Sequence, residues 1–305
     1  MIIKAQTKWS WLIAAYLFLA GVGGGAFVAG ALANYFGWGA EFSKIGILLG
    51  FPCVFIGTMF LIADLGTPIN FWRAYAKPKT SWIARGTIII TIFMFIDFFY
   101  IVLYIWPFPD VLKDSTALRH AFNLFGILFA LGTMVYTGIL LGASRPIAFW
   151  STAMLPLLFL VSAMSTGIMA IILIATIQGI KEPALAIFER IDIILIIGEI
   201  LVLIFYLQGT HRVPESRASA QLVLRGAVAP LFWIGVAILG LLIPLLLELH
   251  GVFGGGANSQ LLHIFLIIAT SSGVIGGFIL RQVVLAGGIH APLKSGRFEY
   301  YLTNV

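Results

Sequence analysis

The chain predicts an all-α membrane protein with eight transmembrane helices arranged as two four-helix bundles. Composition is the first reason: of 305 residues, 61% are hydrophobic and only 10% charged, with a mean hydropathy of +1.06. The second is run length. A hydrocarbon core roughly 30 Å thick needs about 20 apolar residues to cross it as a helix. The runs 11–36, 44–63, 82–106, 119–142, 151–178, 185–207, 226–247 and 260–286 all reach that length. The third is the brevity of the loops, which leave no room for a soluble domain. Helices are the expected form because every backbone N–H and C=O inside lipid must find an internal partner. A transmembrane barrel would instead show short alternating segments.

The first run follows Lys4 and Lys8, but it is too long for the apolar part of a signal peptide, and seven similar runs follow it. It carries Gly21 and Gly25, and the eighth run carries Gly273 and Gly277. This spacing of small residues lets helix backbones approach where lipid supplies no hydrophobic drive. Pro52, Pro156, Pro230 and Pro244 lie within or at the ends of runs, where each should kink a helix or free a carbonyl. Arg145-Pro146 separates four runs from four, giving a first bundle over 1–145 and a second over 146–305. Short connections favour up-and-down packing. The single cysteine, Cys53, can form neither an intrachain disulfide nor a cysteine-ligated cluster, and no metal site is expected.

With an even number of spans both termini share a side. On that side lie 13 of the 18 lysines and arginines, including Arg73, Arg145, Arg281 and Arg297; the other side has five. The positive-inside rule therefore places the termini in the cytoplasm of a cell that embeds the protein in its inner membrane. The basic residues are dispersed beside the spans, which points to membrane lipid as the surrounding partner rather than nucleic acid.

Three carboxylates fall inside spans: Asp97 in the third, and Asp192 and Glu199 in the sixth. Seven residues apart, Asp192 and Glu199 share a helix face about 10 Å apart along the axis. Intramembrane carboxylates are costly and face a cavity or a partner. They read either as a proton relay or as packing hydrogen bonds, with Asp192 close enough to the surface to be solvated. Haem ligation needs two histidines at matching depth on facing helices. His120 and His263, near the far ends of the fourth and eighth spans, are the one conceivable pair, with interfacial contact to water as the simpler reading.

A further group gathers on the terminal side: Trp9, Trp11 and Tyr16; Asp64-Leu-Gly-Thr-Pro68 with Phe71-Trp72-Arg73; Trp82; Tyr136; and Arg145-Pro146. An interfacial aromatic belt accounts for the tryptophans. It does not call for Asp64, nor for Tyr136 about two turns inside its span.

These segments carry a resemblance. Trp9-Ser-Trp-Leu-Ile-Ala-Ala-Tyr16-Leu-Phe-Leu-Ala-Gly21 resembles the opening helix of the NrfD/PsrC family, the membrane anchors of polysulfide and nitrite reductase-type complexes. The Asp64–Pro68 and Phe71–Arg73 segments match next. Tyr136-Thr-Gly-Ile-Leu-Leu141 with Arg145-Pro146, Leu155–Ser162 and Gly198-Glu199-Ile200 follow in order. The ordered set extends over all eight spans. It implies a haem-free integral subunit that binds menaquinone or ubiquinone. Its partner would be an iron–sulfur subunit and, through that, a catalytic subunit, often a molybdopterin enzyme.

The resemblance also implies a quinone site near the start of the first span and the end of the fourth. Here that region holds Ile13, Tyr16 and Tyr136, with Arg73 and Arg145 nearby. The sequence departs from the pattern at Ile13 and Tyr16, where polysulfide reductase anchors can offer an amide and a histidine. Tyr16 can still hydrogen-bond a carbonyl, whereas Ile13 cannot. Asp64 is the expected local proton donor or acceptor, and Glu199, Asp192 and Asp97 the expected extension of a proton path. The alternatives are a secondary transporter, a cytochrome b-type anchor using His120 and His263, and a purely structural anchor.

Overall fold

The computed structural model describes residues 9–109, 111–112, 115–143, 147–180, 183–210, 213–253, 259–289, 293–295 and 298–300. Among the described residues, eight helices are long and apolar enough to cross a membrane, and the protein is an all-α, multi-pass membrane protein. In order they are α1 (Trp11–Phe36), α2 (Ala40–Ala63), α3 (Trp82–Tyr104), α4 (Thr116–Gly142), α5 (Met154–Ile177) and α6 (Ala184–Gly209). A short helix, α7 (Pro214–Arg225), then precedes α8 (Leu231–Phe253) and α9 (Ser259–Ala286). A 3₁₀ turn, Pro68–Tyr75, joins α2 to α3. Near the C-terminus β1 (Leu293–Ser295) pairs antiparallel with β2 (Phe298–Tyr300).

Serines start three of the spans. Ser10, Ser81 and Ser115 each accept a backbone N–H from the first turn of α1, α3 and α4, satisfying one of the orphan donors there. Gly37 ends α1 in the left-handed region, at φ 67°. The seventh span differs from its expected position, running 231–253 instead of 226–247. Residues 214–225 wind as a separate polar helix that ends at Gly226, whose backbone is extended (φ −98°, ψ −155°), and the backbone re-enters a helix at Pro230. The first half of α8, Leu231–Leu242, is a π-helix, with Ile243 N–H reaching back five residues to the Ile238 carbonyl. The buried Pro244 follows directly and resumes the α-helix.

Helix α1 is the hub. Its most apolar stretch is 78% buried, against 28–61% for the other spans, and it packs on α2, α4, α5 and α9. The run Gly23-Gly24-Gly25 explains how one helix serves so many neighbours. A Cβ on Gly23 would strike the Gly50 carbonyl and Val54 of α2; on Gly24, Met134 of α4; on Gly25, the Ala163 backbone of α5. Successive residues on a helix point about 100° apart, so three glycines in a row open three different faces. Gly21 also meets Ala163, and Gly277 of α9 meets Thr166 of α5, so both small-residue pairs seen in the sequence rest on α5. Helices α8 and α9 cross where Gly240 and Gly276 leave no space for a side chain. Among the remaining contacts, α3 packs on α2 and α4, α4 on α5, and α5 on α6 and α9.

Candidate functional site

Near the terminal face a cleft opens between α3 and α4. Trp82 and Gly86 lie one turn apart on α3; Tyr136, Ile139 and Ala143 form a matching stripe on α4. Gly86 is needed beside Tyr136, because any Cβ there would overlap the Tyr136 ring. One turn further along α4 the cleft is walled by Trp82, Ile139, Gly142 and Ala143, with Ser151 and Thr152 from the following loop, around a volume of about 300 Å³. Clefts of ≈ 300–1,000 Å³ suit small organic ligands. The Thr152 hydroxyl is buried and has no partner.

Tyr16 lies close to Tyr136. It is fully buried, its hydroxyl has no partner, and it lies within electrostatic reach of Tyr136. An orphaned hydroxyl forgoes about 1–3 kcal/mol of hydrogen bonding, so the pair is equipped to donate to a carbonyl oxygen. Ile13, one turn earlier, is buried apolar packing. Asp64 ends α2 at the surface, where Ser10 donates a hydrogen bond to its carboxylate. Ser10 precedes Tyr16 by six residues, about 9 Å along the axis. Arg73 is exposed on the 3₁₀ turn with its guanidinium 5.6 Å from the Trp72 ring centre, and it lines no part of the cleft. Arg145 lies outside the described residues.

The second group of buried polar residues runs through α5, α6, α8 and α9. Arg281 of α9 is 1% exposed. It donates to the Ser162 hydroxyl at 2.5 Å, to the Gly277 carbonyl at 3.1 Å and to the Phe159 carbonyl at 3.4 Å. The guanidinium also lies 5.2 Å from the Phe159 ring centre. Glu199 of α6 adjoins both Ser162 and Arg281. Deeper, Asp192 accepts a hydrogen bond from Ser165 at 2.7 Å and faces Glu248 of α8. Glu248 in turn neighbours Glu189. A cavity wide enough for about one water separates the upper part from the lower, lined by Ser165, Thr166 and Glu199 with Gly240, Gly273 and Gly276.

Several expectations need correction here. Asp192 is fully buried, not solvated, because α5 and α8 cover that face of α6. Asp97 does not join the carboxylates of the sixth span. It lies against the Gly50–Phe51 backbone of α2, where a Cβ on Gly50 would collide with it. Arg281 is not an interfacial charge, which reduces the terminal-side tally to 12. His120 contacts the Tyr35 ring at 5.2 Å and His263 is exposed. Their helices, α4 and α9, are not packed neighbours, so the two imidazoles do not face each other.

The sequence reading missed Glu248, Arg281, Glu189 and Thr152. Glu248 fell one residue beyond the expected seventh span. Two signals pointed to Arg281: it lies five residues inside an apolar run, and intramembrane arginines seek partners.

A family model described as "Polysulphide reductase, NrfD" matches residues 3–292. The protein belongs to the NrfD/polysulphide reductase family. It is 28% identical to a polysulfide reductase chain of Wolinella succinogenes over 274 residues, which covers 80% of this sequence and 84% of that one. It is 25% identical to protein NrfD of Escherichia coli over 312 residues, covering 92% and 94%. A selenate reductase subunit of Mesobacillus selenatarsenatis is 24% identical over 299 residues, covering 80% of this sequence and 67% of that protein. The NrfD match extends over all eight spans, hence over both the cleft and the buried polar seam.

Proposed function

We propose that this NrfD-family protein is the quinone-reactive membrane subunit of a respiratory oxidoreductase complex. It carries no haem, binds menaquinone or ubiquinone, and exchanges electrons with an iron–sulfur subunit docked on its terminal face. That partner links it to a catalytic subunit, with molybdopterin as the expected redox centre. Family membership and the likeness to named components of polysulfide and selenate reductases support the complex.

The observation that carries the quinone reading is the pairing of Tyr16 and Tyr136, one turn along α4 from an apolar cleft, with unpartnered hydroxyls on Tyr16 and Thr152. A quinone headgroup is flat and apolar with a carbonyl at each end. It asks for an apolar slot and one donor per carbonyl. Trp82 and Ile139 supply walls, and the tyrosine and threonine hydroxyls supply donors. Quinone reduction consumes two electrons and two protons, and the Ser10–Asp64 pair at the surface offers exchange with water on the terminal side.

The orientation belongs to the same proposal: terminal face in the cytoplasm, protein in the inner membrane. The excess of basic residues on that face supports it. Tyr136→Phe tests the quinone site by deleting one hydroxyl while keeping the ring on Gly86. Quinol turnover in the intact complex should fall by about tenfold or more, the scale of losing one hydrogen bond to a reacting group, with assembly unchanged. Unaltered quinol kinetics would remove Tyr136 from the site.

A further inference from the structure

The connection from α2 to α3 does not stand up into water. Its 3₁₀ turn ends at Tyr75, whose hydroxyl bonds to Thr91 Oγ1 at 2.8 Å. Thr91 gives its own hydrogen to the Thr87 carbonyl at 2.7 Å, so Tyr75 is the donor. Thr91 lies nine residues beyond Trp82, about 13 Å along α3 from its terminal end. The turn is therefore folded down against the side of a span, at bilayer depth. None of its residues is buried: Ile69 is 84% exposed and Trp72 59%, with Phe71 exposed beside them. An apolar face at that depth meets acyl chains and the headgroup boundary, as an interfacial segment does.

The charges around the turn are all of one sign. Arg73, Lys77, Lys79 and Arg85 follow one another, and the sequence has no aspartate or glutamate from 65 to 96. None of the four pairs with a carboxylate among the described residues. The loop that carries them is fixed from within. Arg85 donates from Nε to the Pro78 carbonyl at 2.8 Å and from Nη2 to the Lys79 carbonyl at 2.6 Å. Its guanidinium also lies 4.7 Å over the Trp82 ring. Lys77 is held at φ 60°, a left-handed conformation uncommon for lysine, and its carbonyl accepts the Thr80 and Ser81 N–H groups. The Lys77 and Lys79 side chains are left exposed.

We propose that residues 68–85 form a binding site for an anionic phospholipid, with Ile69, Phe71 and Trp72 against its acyl region and Arg73, Lys77 and Lys79 around its phosphate. A juxtamembrane cluster of cations without carboxylates is complementary to anionic headgroups, and long basic side chains hold their charges at that level while their stems stay in apolar surroundings. Arg85 organises the loop, since two of its nitrogens are already engaged. Depth decides between lipid and a soluble partner subunit: a face at the level of Thr91 lies below the headgroups, out of reach of a water-soluble protein. Trp82 also walls the cleft, so the lipid borders its mouth. The inference does not depend on what the cleft binds.

The test places the full chain in nanodiscs of mixed phosphatidylcholine and phosphatidylglycerol and counts the lipids it retains on release by native mass spectrometry. The wild type should keep phosphatidylglycerol in preference to phosphatidylcholine. Each cation beside the bilayer contributes about fivefold to affinity for anionic lipid, so Lys77→Gln/Lys79→Gln should lower the preference by about twenty-fivefold. Arg190→Gln removes an exposed charge at the far side and should leave the preference unchanged. Phospholipids brominated in the acyl chain supply a second readout. They should quench the tryptophan fluorescence of the wild type more than that of Trp72→Phe, and the difference should persist in the assembled complex. Equal retention of the two lipids, or a preference that the double variant keeps, overturns the site. A Trp72 quenching difference that disappears in the assembled complex also overturns it and makes the segment a protein docking surface.

Discussion

Replacing Arg281 with methionine is the sharpest test of the buried polar seam. Arg281→Met keeps much of the side-chain volume but deletes three hydrogen bonds, to Ser162, Gly277 and Phe159. At about 0.5–1.5 kcal/mol each, these alone come to roughly 1.5–4.5 kcal/mol. The change also strips Glu199 of its cation, and breaking a buried pair by removing one partner costs about 3–5 kcal/mol in total. The hydrogen bonds are part of that figure, so a loss of about 3–5 kcal/mol is expected. Glu199→Gln in the same protein removes the stranded charge and should recover about 1–3 kcal/mol, the coupling expected of contacting residues. Cys53, the single cysteine and half-buried in α2, supplies the assay. A maleimide dye that fluoresces on reacting with it reports unfolding of the purified subunit in detergent. The Arg281→Met transition should come several degrees lower than wild type, and the double variant in between. Equal midpoints for Arg281→Met and wild type, or a double variant no better than the single, would refute the Arg281–Glu199 linkage.

Other consequences can be checked separately. Gly25→Ala places a methyl within the Ala163 backbone, so α1 and α5 must separate; overpacking of this kind costs about 1–3 kcal/mol and should lower the yield of assembled protein. Gly66→Ala meets nothing within 4 Å and should match wild-type yield in the same preparation. Ser10→Ala removes both the α1 cap and the Asp64 partner; a stability loss of about 1 kcal/mol is expected, read by the Cys53 labelling transition. Thr152→Val keeps the cleft's shape but not its hydroxyl, and should weaken quinone binding measured by displacement of a fluorescent quinone analogue, with unchanged affinity counting against that wall of the site. A fluorescent reporter that matures only in the cytoplasm should light up when fused after Val305, and activity of an exclusively periplasmic reporter there would reverse the orientation.

How much of this was legible beforehand varied with the kind of question. The eight spans and their approximate limits are visible in hydropathy alone, because crossing lipid imposes a length and composition on each segment independently. The same holds for the Gly21/Gly25 and Gly273/Gly277 pairs as close-approach points, though not for their partner. That α5 receives both pairs is a property of the packed bundle. The ordered motifs around Tyr16, Asp64 and Tyr136 also revealed the family without coordinates.

Depth and partnership were different. Asp192 looked close to water by its distance from the helix start, and it is buried because α5 and α8 cover that face. Glu248 fell just outside the expected seventh span, which Gly226 and Pro230 shift toward the C-terminus. Arg281 was counted with the surface charges, yet Ser162, Phe159 and Glu199 hold it inside. The sequence by itself determined which segments cross the membrane and which family they belong to, since apolar length is a local, additive quantity. Only the tertiary structure decided which polar groups meet, because the cost of a buried charge depends on what the neighbouring helices offer it.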